Sequence, residues 1–148
     1  MNRAVLLVED NEDDVFLMQR AWKKAGVTRK LEVAKDGQAA VEFLEAAMEK
    51  TQDLPCLILL DLKMPRVPGL EVLSWIRKQA GLSKLPVVIL TASSAVKDIE
   101  AAYELGANSY FAKPASSDEL CELAKLLDAY WLRTCLLSSA FVSSPPNV

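Results

Sequence analysis

Glu9, Asp10, Asp61, Thr91 and Lys113 stand apart in this 148-residue chain because of what precedes them. Val5-Leu6-Leu7-Val8 runs into Glu9-Asp10, Leu57-Ile58-Leu59-Leu60 into Asp61, Val87-Val88-Ile89-Leu90 into Thr91, and Ser109-Tyr110-Phe111 leads to Lys113-Pro114. Singly, each has a plain explanation: acids after a strand cap the next helix, threonine suits a strand, and a lysine before proline is commonly a solvated loop residue. Together, they place three carboxylates, a hydroxyl and an ammonium at the ends of apolar runs. Crowded carboxylates repel, so that one takes up a proton or a cation sits between them. A small set of hard oxygen ligands suits Mg²⁺ (or Mn²⁺) rather than zinc or copper. A carboxylate beside such a cation can attack phosphorus and become an aspartyl-phosphate, with an ammonium neutralising charge on the transferring oxygens. On this reading Asp61 is the nucleophile, Asp10 ligates the metal and Glu9 assists through water. Lys113 holds one phosphoryl oxygen and the Thr91 hydroxyl another.

These residues meet only if the runs before them are neighbouring parallel strands. Two hydrophobic periods alternate along the chain. Short runs at Ala4 to Val8 (β-branched at Val5 and Val8), Leu31 to Ala34, Leu57 to Leu60, Val87 to Leu90 and Ser109 to Phe111 read as strands. Between them, Val15, Met18, Ala21 and Trp22, then Ala40, Val41, Leu44 and Met48, then Leu70, Leu73 and Ile76, then Val96, Ile99, Ala102 and Tyr103 recur at helical spacing. Ser116 with Glu119 forms a capping-box pattern before a last long helix starting near Leu120. Five strands alternating with five helices predict an α/β fold, a single (βα)5 doubly wound parallel sheet. The expected strand order is 2-1-3-4-5, the flavodoxin-like arrangement, with ligands bound at the carboxyl ends of the strands.

Composition narrows the chemistry. The chain has no histidine, which excludes an internal Ser-His-Asp group, a His-bearing zinc site and a phosphohistidine relay. Its formal charge of −3 gives no prior for non-specific nucleic-acid binding, which wants a basic patch. Cys56, Cys121 and Cys135 are widely spaced without a CxxC, which reads as buried thiols in a reducing compartment rather than a disulfide framework. No apolar run approaches a membrane span and no signal peptide is apparent, so a cytoplasmic protein is expected.

Val5-Leu6-Leu7-Val8-Glu9-Asp10, Leu59-Leu60-Asp61-Leu62-Lys63-Met64-Pro65 with Pro68-Gly69, Leu90-Thr91-Ala92 and Ala112-Lys113-Pro114 together resemble the response-regulator receiver domain of two-component signalling, over about residues 3 to 130. The resemblance implies Asp61 as phosphoacceptor, and Asp10 and Asp61 as Mg²⁺ ligands together with the Lys63 backbone carbonyl, with Glu9 as outer support. It further implies Thr91 and Tyr110 as a switch pair and a cis peptide between Lys113 and Pro114. Such a protein is no enzyme toward other substrates, catalysing only its own phosphorylation and dephosphorylation. Proline stands at position 68 where the family usually has aspartate, which predicts a stiffer loop. The acidic run from Glu9 to Asp14 and the spacing between helix two and strand three resemble stand-alone regulators paired with cyanobacterial phytochrome kinases, which adds light signalling to the expectation.

No output segment is recognisable after the receiver-like region, so a stand-alone regulator is expected to signal by contact with a downstream protein that the sequence does not identify. The phosphoryl donor is expected to be a sensor histidine kinase or a small phosphodonor, and neither nucleic acid nor membrane is an expected partner. Residues 131 to 148 form an apolar C-terminal extension, and the last fifteen carry no charged side chain. Tyr130, Trp131 and Leu132, with Leu136, Leu137, Phe141 and Val142, put apolar bulk on every side of the helix, which predicts a homodimer through helix four, strand five and helix five. The opposing reading folds this tail onto its own domain, and Ser143 to Val148 are expected to fray. Three other functions fit less well. A scaffold without phosphate chemistry would be expected to lack Asp61, Thr91 or Lys113. A flavin site needs donor-rich loops where Glu12-Asp13-Asp14 would repel phosphate. A haloacid-dehalogenase-type hydrolase needs a DxD motif after the first strand.

Overall fold

A computed structural model describes residues 3–50 and 53–136. The elements follow the alternation in the sequence: β1 (Val5–Val8), α1 (Glu12–Lys24), β2 (Leu31–Ala34), α2 (Gly37–Glu49), β3 (Leu57–Leu60), α3 (Gly69–Lys78), β4 (Val87–Thr91), α4 (Val96–Glu104), β5 (Ser109–Ala112) and α5 (Ser117–Leu127). A π-helical extension, Asp128–Thr134, continues α5. The strands form one parallel sheet in the expected order, β2-β1-β3-β4-β5.

The strands that looked apolar on both faces are the central ones: β1, β3 and β4 are buried along their whole length, whereas the edge strands β2 and β5 are half-exposed for most of theirs. Alternate side chains point to opposite faces. Leu6, Val8, Ile58, Leu60, Val87 and Ile89 pack with Ala40 and Leu44 of α2 and Val72, Leu73 and Ile76 of α3. Val5, Leu7, Leu57, Leu59, Val88 and Leu90 pack with Met18 and Trp22 of α1 and Leu123, Ala124 and Leu127 of α5. The sheet is thereby clamped between two apolar layers, and its polar residues gather at one rim.

Local chemistry sets the helix starts. Asn11 caps α1 by accepting the Asp14 N–H at 3.0 Å, and Asp36 caps α2 by accepting the Ala39 N–H at 2.7 Å. Ser116 accepts the Glu119 N–H at 3.1 Å, which is why α5 begins at Ser117 and not near Leu120. The guanidinium of Arg77, at the end of α3, donates to the Gly106 and Leu85 carbonyls and to the Asn108 side chain at 2.8–3.0 Å. That ties α3 to the turn between α4 and β5.

Past α5, Leu132 is buried and Trp131 packs against the core layer of α1 and α5, while Tyr130 and Leu136 face outward. Arg29 donates to the Leu132 carbonyl at 3.4 Å. The apolar bulk after residue 130 therefore serves the domain's own core in part. Leu137, Phe141, Val142 and the segment 143–148 lie outside the described residues. Cys56 and Cys121 are buried, whereas Cys135 is half-exposed, and all three are free. Among the described residues no helix is long and apolar enough to cross a membrane.

Candidate functional site

The ladder fixes the backbone of each residue at the rim. Beyond the strand ends, Glu9 N–H donates to the Ala34 carbonyl at 3.0 Å, Asp61 N–H to the Val8 carbonyl at 3.1 Å, and Lys113 N–H to the Thr91 carbonyl at 2.7 Å. Parallel pairing thus delivers side chains up to 104 positions apart in the chain to one edge.

There the carboxylates of Glu9, Asp10 and Asp61 offer oxygen atoms that all lie within 4.8 Å of one another. Glu9 and Asp61 are buried and Asp10 is exposed. The Lys113 ammonium lies 2.6 Å from Glu9 Oε1, 2.8 Å from Asp14 Oδ2 and 3.2 Å from Asp61 Oδ2. Glu9 Oε2 also accepts the Asn11 N–H at 3.1 Å, and Asp61 Oδ1 accepts the Lys63 N–H at 3.3 Å.

Electrostatics reflects the crowding. Burial pushes the Glu9 carboxyl up to about 7, and the nearby charge of Asp61 adds to the rise against the pull of Lys113. For Lys113, burial works against the ammonium, but hydrogen bonds to Asp14 and Glu9 and the charge of Asp61 outweigh it and raise its pKa. Lys113 is firmly cationic, and a single ammonium leaves the surrounding carboxylates under-neutralised. An oxygen-only donor set with excess negative charge, one carboxylate of it open to solvent, fits a hard divalent cation.

Thr91 is fully buried at the end of β4, and its hydroxyl oxygen has no hydrogen-bond partner among the described residues. Buried polar atoms are normally paired, so this hydroxyl is available to a group absent from the protein's own atoms. Tyr110 on β5 does not meet Thr91 through its hydroxyl. That hydroxyl donates to the Ser93 carbonyl at 2.8 Å, and the Ser93 hydroxyl donates to the Asp98 carboxylate. This bond holds the Asp98 carboxyl below its ordinary range. Lys63 Nζ stands 3.7 Å from Asp98. The expected cis peptide before Pro114 is corrected: every described peptide bond is trans, including 113–114. Trans is the default for X–Pro by about 0.5–1 kcal/mol, and in this form Lys113 still reaches its partners.

Sequence reasoning named Glu9, Asp10, Asp61, Lys63, Thr91, Lys113 and Tyr110, and all sit at this rim or just behind it. It missed Asp14, which was absorbed into the explanation of acidic residues at a helix start, and the Ser93–Asp98 pair. Ser93 lies only two residues past Thr91, in the same loop, and that proximity was the one available signal.

Residues 5–125 match the family model described as the response regulator receiver domain. Response regulator Rcp1 of Synechocystis sp. is 37% identical over 139 residues, covering 93% of this chain and 95% of the relative. The "Probable methanogenesis regulatory protein FilR2" of Methanothrix harundinacea is 40% identical over 128 residues, covering 86% of this chain and 83% of the relative. The crystal structure of Mn(2+)-bound Rcp1 superposes with a TM-score of 0.80 at 36% identity, covering 92% of this chain and 99% of that one. That of the phosphorylated cyanobacterial phytochrome response regulator RcpA gives 0.84 at 35% identity, covering 94% and 100%.

Proposed function

The chain belongs to the response-regulator receiver family, and from that premise we propose that it is a phosphorylatable signalling switch whose phosphoacceptor is Asp61. The observation that carries this reading is the meeting of the buried Asp61 carboxylate with two further acids and the Lys113 ammonium, beside a buried threonine hydroxyl that lacks a partner.

An Asp61 carboxylate oxygen attacks the phosphorus of a phosphohistidine on a sensor histidine kinase, or of an acyl phosphate. The new P–O bond forms as the donor's P–N or P–O bond breaks, and the leaving imidazole or carboxylate departs with the electron pair. Asp10, Asp61 and the Lys63 carbonyl would hold Mg²⁺, with Glu9 behind them, and the bound cation supplies charge neutralisation on the transferring oxygens. Lys113 exchanges its contact with Asp61 for a phosphoryl oxygen. The Thr91 hydroxyl donates to another, gaining the partner it lacks. Such positioning and charge stabilisation are most of what phosphoryl transfer requires. Water reverses the modification, and no other substrate is turned over.

Output follows from the loop between β4 and α4. Movement of Thr91 toward the phosphoryl group shifts the Ser93 carbonyl that Tyr110 holds, and with it the first turn of α4, where Asp98 is bound to Ser93. A ligand shifts such an equilibrium only through different contacts in its two states, and Thr91 supplies that difference. The face remodelled is α4, β5 and α5. It exposes Val96, Tyr103, Leu126 and Tyr130, and a groove of about 360 Å³ lined by Phe111, Leu126, Tyr130 and Trp131 runs beside β5. We assign this face to a second copy of the chain or to the downstream protein, with the homodimer as the first reading. Likeness to Rcp1 and RcpA supports a phytochrome as the kinase and light as the signal.

The test is transfer of labelled phosphate from an autophosphorylated histidine kinase. Label moves to the wild-type chain and not to D61N; equal labelling of both variants overturns Asp61 as the acceptor.

A further inference from the structure

Asp14 has no part in the role assignments above, yet its carboxylate lies 2.8 Å from the Lys113 ammonium across 99 positions of sequence. It occupies the first turn of α1 with Glu12 and Asp13, which are both exposed while Asp14 is half-buried. All three acids favour the positive end of the helix dipole. The cap asks nothing of the Asp14 side chain, because the Asn11 side chain already accepts the Asp14 N–H. Among the described residues the only polar partner of the Asp14 carboxylate is Lys113.

An ammonium has three N–H donors, and three carboxylates take them here: Glu9, Asp14 and Asp61. These acceptors differ in permanence. The Asp61 carboxylate is consumed when it becomes an acyl phosphate, and Glu9 lies beside the candidate cation site and also serves the Asn11 N–H. Asp14 alone is outside the metal cluster and unchanged by the chemistry. Lysine is a point charge on a flexible four-carbon stem, so its head group stays in place only if something fixed holds it. The start of a capped helix is fixed.

We propose that Asp14 is a positioning residue for phosphoryl transfer. It anchors the Lys113 ammonium at the mouth of the site, so that the ammonium keeps its place when it trades Asp61 for a phosphoryl oxygen. The inference rests on Asp61 being the phosphoacceptor. It adds a specific device: a carboxylate in the first helical turn sets where the positive charge stands during transfer.

D14N keeps the shape of the side chain and the helix cap while removing the charge, and D13N is the control for a lost first-turn acid. With acetyl phosphate and Mg²⁺, D14N lowers the saturating rate of Asp61 phosphorylation about tenfold or more, the scale expected when a catalytic group is slightly misplaced. The donor concentration at half-saturation stays near that of wild type, D13N behaves as wild type, and D14E restores part of the loss. On a K113Q background D14N has no further effect, because Asp14 acts only through Lys113. In metal-free protein the Lys113 ¹⁵Nζ resonance is sharp in wild type and D13N and exchange-broadened in D14N. A D14N rate within twofold of wild type, the same fractional loss on K113Q, or an unaltered Lys113 resonance overturns the proposal. If the wild-type chain itself takes up no phosphate, the phosphoacceptor reading fails instead, and the two failures are distinct.

Discussion

Gly69 is pressed against the backbone of Asp61: a β-carbon at Gly69 would overlap the Asp61 carbonyl oxygen and crowd the Leu62 α-carbon. Gly69 N–H also donates to the Leu62 carbonyl at 3.1 Å, so the start of α3 is locked onto the segment that carries the acid. G69A must push the two apart. Overpacking of this kind costs about 1–3 kcal/mol, and here the displaced atoms belong to the loop that carries Asp61. Urea denaturation should show that loss, accompanied by a slower uptake of phosphate from acetyl phosphate. A variant as stable and as fast as wild type would mean that the loop yields freely.

Thr91 offers an unusual pairing of outcomes. Its hydroxyl is buried without a partner, and an unsatisfied buried polar group costs about 1–3 kcal/mol. T91V, which replaces the hydroxyl by a methyl group of similar size, should leave the unphosphorylated protein at least as stable as wild type. The same variant should still accept phosphate on Asp61 but fail to pass the change to α4, read as loss of phosphorylation-dependent hydrogen exchange around Val96–Glu104. T91S should keep both properties. Equal exchange changes in T91V and wild type would remove Thr91 from the switch.

Cation binding should appear as stability. A ligand that binds only the folded state adds about 2.7 kcal/mol when present at a hundred times its Kd. Titrating Mg²⁺ or Mn²⁺ into chelator-treated protein should raise the melting temperature of wild type progressively. D10N and D61N remove carboxylates of the cluster and should flatten the response. A wild-type melting temperature indifferent to either ion contradicts the site.

At the start of α2, the bond from the Ala39 N–H holds the Asp36 carboxyl below its ordinary value, with help from the Arg66 guanidinium 3.0 Å away. A depressed folded-state pKa means that the folded chain releases this proton more readily than the unfolded one. Its stabilising effect is therefore complete above the unfolded value near 4 and is lost as pH falls through the lower folded value. D36N should lower the urea midpoint at pH 7 and narrow the difference from wild type progressively below pH 4. A difference independent of pH would assign the effect to the cap geometry and not to charge.

For the interface, sedimentation of the full chain should report a dimer, and L126S/Y130S, which changes two exposed apolar residues on α5 and its extension, should report a monomer. Monomeric behaviour of the unaltered chain at high concentration, with and without acetyl phosphate, would turn this face over to a downstream protein.

The fold was readable because three central strands are buried on both sides and therefore appear as unbroken apolar runs, each with its polar residue directly after the last apolar one. Glu9, Asp61 and Thr91 could be picked out for that reason. Lys113 was picked out by its company at the other strand ends, since a lysine in a loop carries no signal of its own. What stayed hidden depends on side-chain reach. Asp14 looks like any helix-start acid until the fold brings the Lys113 ammonium to within 2.8 Å of it. The hydroxyl of Tyr110 goes to the Ser93 carbonyl, a backbone acceptor that no side-chain pattern encodes. The cis bond expected before Pro114 is trans, and α5 begins directly after the Ser116 cap that its Glu119 partner had marked, three residues before the apolar Leu120 where its start was expected.

Incubation of the full chain with acetyl phosphate and Mg²⁺, followed by intact mass and peptide mapping, should give one added phosphoryl group, located on Asp61 and removed by hydroxylamine as an acyl phosphate must be. Chelator should prevent the gain and D61N should abolish it. Folded protein that gains no mass, or that carries the group on any residue other than Asp61, contradicts the claim that this cluster makes Asp61 receptive to phosphorus.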